Sequence, residues 1–166
     1  MKIAVIDGKG GGLGKSLIQK LKKHYGNEVC VIALGLGKAS YNNMNNANPD
    51  IANFGEEAIA YWSSKVDIIM GPIGIIVPNA MEEEVTPLIA KCIGESCAKK
   101  IMLPINKCRV FIPGTLKYKM SYMIDEAVKM NLNSRLRLCR SFYFAYEQRE
   151  FKFKCISFVL SISFVF

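Results

Sequence analysis

The amino-acid sequence predicts an α/β fold in which helices cover both faces of one sheet. The chain opens with a strand, Lys2 to Asp7, whose apolar run is continuous, as in a strand buried on both faces of a parallel sheet. Seven residues that include five glycines follow, and then an amphipathic helix. Helix and strand patterns alternate from there to about residue 130. Together these observations predict a Rossmann-like three-layer domain with a mostly parallel sheet of about five strands.

The elements of the first half follow one another closely. The first helix is predicted from Gly14 to Tyr25, because leucine and isoleucine recur at helical spacing while lysines take the opposite face. Val29 to Leu34 is predicted as the second strand. Ala39 to Phe54 is rich in asparagine and is predicted to be a loop or a poorly formed helix, which could be either a lid over the glycine turn or a tolerated surface insertion. A helix resumes from Glu56 to Ser64.

The second half of the domain continues the alternation. The predicted elements are strands at Val66 to Met70, Lys100 to Ile105 and Arg109 to Ile112, and helices at Thr86 to Ser96 and Ser121 to Met130. Thr86 followed by Pro87 is typical of a helix start, with the threonine as N-cap. Pro104 cannot donate a ladder hydrogen bond, so the end of its strand is expected to be a bulge or a sheet edge.

The glycine turn after the first strand (residues 8–14) can be compared with three phosphate-binding patterns. The P-loop pattern G-x-x-x-x-G-K-[ST] fails, because its first glycine would fall on Lys9. The Rossmann pattern G-x-G-x-x-G fails at Leu13. The short-chain dehydrogenase pattern T-G-x-x-x-G-x-G fits best, with Gly8, Gly12 and Gly14 on its glycines. The turn therefore indicates the fold more strongly than it indicates a cofactor.

The same turn is the main predicted binding site. Glycines let the backbone approach a phosphate closely, and a helix start offers free N–H donors and the positive end of the helix dipole. We therefore expect the amides at the start of the first helix to be open to a negatively charged group. The turn after the third strand should lie at the same sheet edge, because ligands bind outside the carboxyl ends of parallel strands. The predicted binding residues are Gly8, Gly10, Gly11, Gly12, Gly14, Lys15, Gly71, Gly74 and Asn79.

The predicted ligand is a small nucleotide or dinucleotide that carries a phosphate. NADP is one candidate, because the second strand ends without the acid that binds the ribose of NAD, and Lys38 nearby could meet a 2′-phosphate. The alternative is a ligand-free structural module whose glycine turn only packs the helix against the sheet. Such a module could form a homo-oligomer.

No catalytic residue emerges from the sequence, so binding is favoured over catalysis. Tyr61 and Lys65 have the spacing of a short-chain dehydrogenase pair, but they precede the third strand and we interpret the match as a coincidence. The acidic run Glu82 to Glu84 is predicted to be a solvated face rather than a metal site. The six cysteines match no zinc pattern and His24 is the only histidine, so no metal is predicted.

Six stretches carry a resemblance to a known family. They are Met1 to Lys15, Val31 to Gly35, Gly71 to Gly74, Glu84 to Pro87, Lys100 to Cys108 and Ile124 to Val128. Across residues 1 to 130 the chain resembles the domain-of-unknown-function family 3842, a small bacterial family of uncharacterised proteins. The resemblance implies a cytoplasmic Rossmann-like domain and brings no established activity. A cytoplasmic location also fits the start of the chain, which has too few apolar residues for a signal peptide.

The last 36 residues, 131–166, form an atypical basic and phenylalanine-rich tail. They hold seven of the nine phenylalanines and four of the five arginines. The net charge of +8 divides evenly between this tail and the rest, so it is not one basic patch, and we expect no nucleic-acid partner. Cys155 to Phe166 is shorter than the roughly 18–20 residues that span a bilayer, so no membrane contact is expected. We predict that the tail is not part of the domain and derives from a shifted or extended reading frame.

Overall fold

A computed structural model describes residues 1–105, 110–115 and 117–130 of the chain. The strands are β1 Lys2–Asp7, β2 Cys30–Gly35, β3 Ile51–Phe54, β4 Ile68–Pro72 and β5 Lys99–Leu103. The helices are α1 Gly12–Tyr25, α2 Lys38–Asn45, α3 Glu56–Ser63, α4 Pro87–Glu95 and α5 Met120–Lys129, with a 3-10 turn at Ile73–Ile76. Among these helices, none has both the length and the apolar character that crossing a bilayer requires.

All five strands are parallel and lie in the order β3-β2-β1-β4-β5. β1 is central, with Ile3 opposite Val31 of β2 on one side and Ile68 of β4 on the other. Every residue of β1 from Ile3 to Asp7 is buried, which agrees with its continuous apolar run. The predicted Rossmann-like parallel sheet is confirmed.

Alternate residues of β1 feed two separate cores, one on each face of the sheet. Ile3 and Val5 pack with buried residues of α1, α2 and α5, whereas Ala4 and Ile6 pack with buried residues of α3 and α4. Because successive side chains of a strand point to opposite faces, one central strand anchors both layers of helices. The result is the predicted three-layer arrangement.

The asparagine-rich segment is more regular than the predicted loop or poorly formed helix. It contains α2 and β3, of which β3 is an edge strand paired with β2. Met44 of α2 is fully buried, and the Asp50 carboxylate accepts the Val31 N–H at 2.7 Å at the start of β3. Asparagine has weak helix and strand propensity, but burial against neighbouring elements overrides it here. The segment is therefore an integral part of the sheet, neither a lid nor an insertion.

The predicted strand from Arg109 to Ile112 is wrong in its described part, since Val110 to Ile112 belong to no strand. The Phe111 side chain is 73% exposed, so the apolar run lacks the burial on which strand formation depends. β5 ends at Leu103, just before Pro104, and it is an edge of the sheet, as the proline predicted. Arg109 and the tail, 131–166, lie outside the described residues.

A substitution at Gly71 of β4 reports on how closely β4 packs against β1. A Cβ on Gly71 would lie 2.3 Å from the Ile6 carbonyl oxygen, and neither group can move without shifting a strand. Gly71→Ala should therefore lower the free energy of unfolding by about 2–4 kcal/mol, measured by urea denaturation.

The matched control is Gly94→Ala in α4. A Cβ at that position meets nothing within 4 Å, so alanine should stabilise the helix by up to about 1 kcal/mol. Equal effects of the two substitutions would contradict the close packing of β4 against β1.

Candidate functional site

Three turns meet at the carboxyl edge of the sheet. They are the glycine turn after β1, the Leu36–Gly37 turn after β2, and the segment from Ile73 to Thr86 after β4. Because β1 lies between β2 and β4 and all three strands are parallel, these turns are neighbours at one edge. This is the place where open α/β sheets bind ligands.

Asp7, the last residue of β1, occupies the base of the glycine turn. Its side chain is almost fully buried, and its two carboxylate oxygens accept the Gly8 N–H at 2.9 Å and the Gly14 N–H at 2.7 Å. The Leu13 N–H also acts on this carboxylate and lowers its pKa. The N-cap position of α1 is Gly11, which has no side chain to cap the helix, so Asp7 performs that role from the strand.

This arrangement corrects the expectation that the amides at the start of α1 are open. The amides of Gly8 and Gly14 are occupied by Asp7, and the Lys9 N–H donates to Glu84 Oε2 at 2.7 Å. The protein's own carboxylates therefore take the inner part of the turn. On the outer part of the turn, the N–H groups of Gly10 and Gly12 have no acceptor in the part of the chain that the structure describes.

Burial raises the pKa of Asp7 above its ordinary value of 3.8. The hydrogen bonds from Gly14, Gly8 and Leu13 lower the pKa, and the nearby Glu84 carboxylate raises it. The loss of hydration is the largest effect, so the net direction is upward. Asp7 is thus a desolvated carboxyl held by neutral backbone donors.

The glycines of the turn fall into two groups. A Cβ on Gly8 would meet the side chains of Glu84 and Leu36 within 2.6 Å, and one on Gly14 would lie 2.9 Å from the Cβ of Asp7. Gly11 combines a φ of +67° with a Cβ position 2.6 Å from the Ser40 carbonyl oxygen. These three glycines are explained by packing within the fold.

The second group faces open space. Among the residues that the structure describes, a Cβ on Gly10 or Gly12 would meet nothing within 4 Å. Gly10 has a φ of +87°, which itself favours glycine, whereas the φ of Gly12 lies outside the left-handed region. Neither packing nor backbone conformation therefore requires a glycine at Gly12.

A strap, defined as residues 77–86, crosses the glycine turn on its way from the 3-10 turn to α4. Glu84 bonds the Lys9 N–H, and the Lys9 ammonium forms an ion pair with Glu82. The strap ends at Thr86, whose hydroxyl donates to Glu56 and accepts the Ile89 N–H at 3.1 Å. Thr86 is therefore the N-cap of α4, as predicted.

The acidic run in the strap is not the uniform solvated face that its sequence predicted. Glu82 and Glu83 are exposed, but Glu84 is half-buried against the glycine turn. Four non-glycine residues of the strap have a left-handed φ: Asn79, Met81, Glu82 and Glu83. Met81 and Val85 are buried on either side of Glu84 and hold this conformation in place.

The remaining predicted site residues lie at or near this edge. Gly71 and Gly74 are buried, and Gly71 is explained by its approach to β1. Asn79 is exposed in the strap, where its N–H donates to the Val85 carbonyl at 2.7 Å. Lys15 is half-buried in the first turns of α1, and its ammonium has no ion-pair partner among the residues that the structure describes.

The pair formed by Tyr61 and Lys65 lies elsewhere. The Lys65 Nζ is 3.6 Å from the Tyr61 ring centroid on an exposed surface. The Lys2 Nζ lies 5.8 Å from the ring centroid of the neighbouring Trp62. Lys2 is the first residue of β1, so this pair lies at the amino ends of the strands, opposite the glycine turn. The short-chain dehydrogenase spacing is therefore a coincidence, as interpreted from the sequence.

Acidic, histidine and cysteine side chains do not cluster in the described part of the chain. Across residues 1–105, 110–115 and 117–130, no three of them come close enough together to hold a metal ion. Cys30 and Cys92 are half-buried and Cys97 is exposed. Asp7 and Glu84 are thus a pair without a third ligand.

A family model described as Domain of unknown function (DUF3842) matches residues 2–135. The chain belongs to the DUF3842 family. Comparison with curated proteins and with solved structures found no significant match. The description of the DUF3842 family assigns no activity, so the function must be argued from the site itself.

Sequence reasoning missed two residues of this DUF3842 site. Asp7 stands where the dehydrogenase pattern has threonine. An acid at the end of a buried strand is a signal for a helix cap, and the comparison with glycine patterns did not use it. Glu84 had no such signal. Its contact with Lys9 spans 75 residues and depends on the path of the strap.

The contribution of Asp7 to stability can be measured by substitution. Asp7→Ala leaves the buried N–H groups of Gly8 and Gly14 without acceptors, which should lower the free energy of unfolding by about 2–4 kcal/mol. Asp67→Ala is the control, because Asp67 also accepts a backbone N–H, from Lys2 at 2.8 Å, but is exposed. Urea denaturation that gives equal losses for both variants would contradict the capping role.

The raised pKa of Asp7 predicts a pH dependence with a definite sign. Because the folded pKa lies above 3.8, the folded state binds this proton more tightly than the unfolded state does. The part of the stability that depends on the protonation of Asp7 is therefore fully present below about pH 3.8 and is lost as the pH rises through the folded pKa.

Asp7→Asn removes this titration and serves as the reference. The free energy of unfolding of the wild type relative to Asp7→Asn should be more favourable at about pH 4 than at about pH 7, measured by urea denaturation at both values. A relative stability that grows with pH would contradict the raised pKa.

Proposed function

We propose that this DUF3842 protein binds a phosphate-bearing nucleotide through the outer half of its glycine turn. The observation that carries the proposal is Gly12, the first residue of α1, where neither packing nor backbone conformation requires glycine. A phosphate that approaches the N–H groups of a helix start needs a position without a Cβ. A ligand is therefore a physical reason for glycine at this point.

The groups around Gly12 suit an anion. The N–H groups of Gly10 and Gly12 have no acceptor among the residues that the structure describes. Lys15 adds a positive charge from the same end of α1, where the helix dipole is also positive. The carboxylates of Asp7 and Glu84 face the inner part of the turn, so the phosphate must sit on the outer part.

A second candidate function is a ligand-free structural module that could form a homo-oligomer. The occupied amides favour it, because Asp7 and Glu84 already satisfy three N–H groups that a phosphate would use. Gly8, Gly11 and Gly14 are also explained without a ligand. The two candidates make opposite predictions for ligand binding.

Thermal unfolding of the full chain with NAD, NADP, FMN, ATP, GTP and S-adenosylmethionine separates the candidates. A nucleotide at about 100 times its Kd should add about 3 kcal/mol to the free energy of unfolding and raise the Tm. If none of these compounds raises the Tm, the structural module is favoured and nucleotide binding is contradicted.

The placement of the site is tested with a pair of glycine variants. Gly12→Val should abolish the ligand-induced rise in Tm while changing the stability of the free protein by less than about 1 kcal/mol, since its side chain meets open space. Gly94→Val makes the same change at an open helical glycine of α4 and should keep the rise in Tm. Persistence of the rise in Gly12→Val would show that the ligand binds elsewhere.

A further inference from the structure

The end of β2 lacks the acid that a dinucleotide-binding Rossmann domain usually has. In such domains this acid accepts hydrogen bonds from the ribose hydroxyls. Here β2 ends at Gly35, followed by Leu36 and Gly37. Leu36 is buried, and Gly35 and Gly37 carry no side chain. The end of β2 therefore offers no polar side chain to a ribose.

Glu84 of the strap supplies a carboxylate near the end of β2, where the usual acid is missing. Its Oε2 accepts the Lys9 N–H at 2.7 Å in the glycine turn. Its Oε1 lies 3.9 Å from the position that a Cβ would take on Gly37. One carboxylate therefore lies between the turn after β1 and the turn after β2.

The two oxygens of Glu84 have different surroundings. Oε2 is fixed by a backbone amide, whereas Oε1 has no hydrogen-bond donor among the residues that the structure describes. Burial of Met81 and Val85 fixes the strap on both sides of Glu84. A carboxylate that is anchored through one oxygen and offers the other is suited to accept a hydrogen bond from a hydroxyl group.

We propose that Glu84 binds the ribose hydroxyls of the nucleotide and so selects an unmodified 2′,3′-diol. The inference rests on the proposed nucleotide binding and names the class of ligand. A 2′-deoxyribose lacks one donor to Glu84, and a 2′-phosphate brings negative charge against the carboxylate. NAD and ribonucleoside phosphates therefore fit this site, whereas NADP, which the missing acid of β2 had favoured, does not.

Calorimetric titration of the full chain with matched probe pairs tests the proposal. The pairs are ATP and 2′-dATP, GTP and 2′-dGTP, and NAD and NADP. For the pair that binds, the wild type should bind the probe with the free diol about tenfold more tightly than its partner, which is the effect of one hydrogen bond to a charged group.

Two variants of equal charge show whether Glu84 causes the preference for the free diol. Glu84→Gln should reduce the preference for the diol to less than about threefold, because the amide loses the charge that strengthens the bond. Glu83→Gln is the control, since Glu83 is the exposed neighbour, and it should keep the full preference. Far-ultraviolet circular dichroism and urea denaturation of both variants establish that the fold is retained.

The outcomes distinguish this inference from the proposed function. A wild type that binds a probe without preferring the diol, or a Glu84→Gln variant that keeps the preference, overturns the role of Glu84 alone. Tighter binding of both members of a pair by Glu84→Gln would show that Glu84 competes with the ligand, and it too overturns the role. If no probe binds the wild type, the proposed function and this inference both fail.

Discussion

The glycine turn and the start of α1 depend on the carboxylate of Asp7. It connects the end of β1 to the start of α1 by accepting the N–H groups of Gly8 and Gly14. A buried carboxylate without such donors would be strongly unfavourable, because it loses its hydration. The N–H donors of the glycine turn compensate the carboxylate for its lost hydration. The carboxylate in turn caps α1, whose N-cap residue Gly11 has no side chain that could do so.

The position of Asp7 explains why the glycine turn has the form that it has. Gly14 must bring its N–H to the carboxylate, and its Cβ position lies only 2.9 Å from the Cβ of Asp7. Gly11 must adopt a left-handed φ to begin α1 at this distance. Asp7 accounts for Gly14, the side chains of Glu84 and Leu36 account for Gly8, and the Ser40 carbonyl accounts for Gly11, whereas no such contact accounts for the glycine at Gly12. That distinction limits any ligand to the outer face of the turn.

The strap adds the second carboxylate of the site. Glu84 reaches Lys9 because residues 79–83 include four left-handed non-glycine residues, each of which is unfavourable by about 1–3 kcal/mol. Burial of Met81 and Val85 opposes that strain. The same chain path puts Glu84 between the turn after β1 and the turn after β2, neither of which has an acidic side chain. The strap therefore determines where a carboxylate lies at this end of the sheet.

The fold could be predicted from residues whose pattern is local. The apolar run of β1, the helical spacing of α1 and the Thr86–Pro87 start of α4 each contain their own signal, and each is confirmed. The sequence does not predict β3 and predicts α2 at most as a poorly formed helix, because their asparagines favour loops and only tertiary burial of residues such as Met44 makes them regular. Val110 to Ile112 shows the opposite error, a strand-like composition without a buried place in the sheet. Glu84 was unpredictable because its contact depends on the whole path between β4 and α4.

One buried carboxylate holds the amides of the glycine turn, and a pH titration followed by heteronuclear NMR can observe each of these amides separately. The amide protons of Gly8 and Gly14 should shift together, with a single midpoint above 3.8, as Asp7 gains its proton and its hydrogen bonds weaken. Separate transitions for the two amides, or a common midpoint at or below 3.8, would contradict the account.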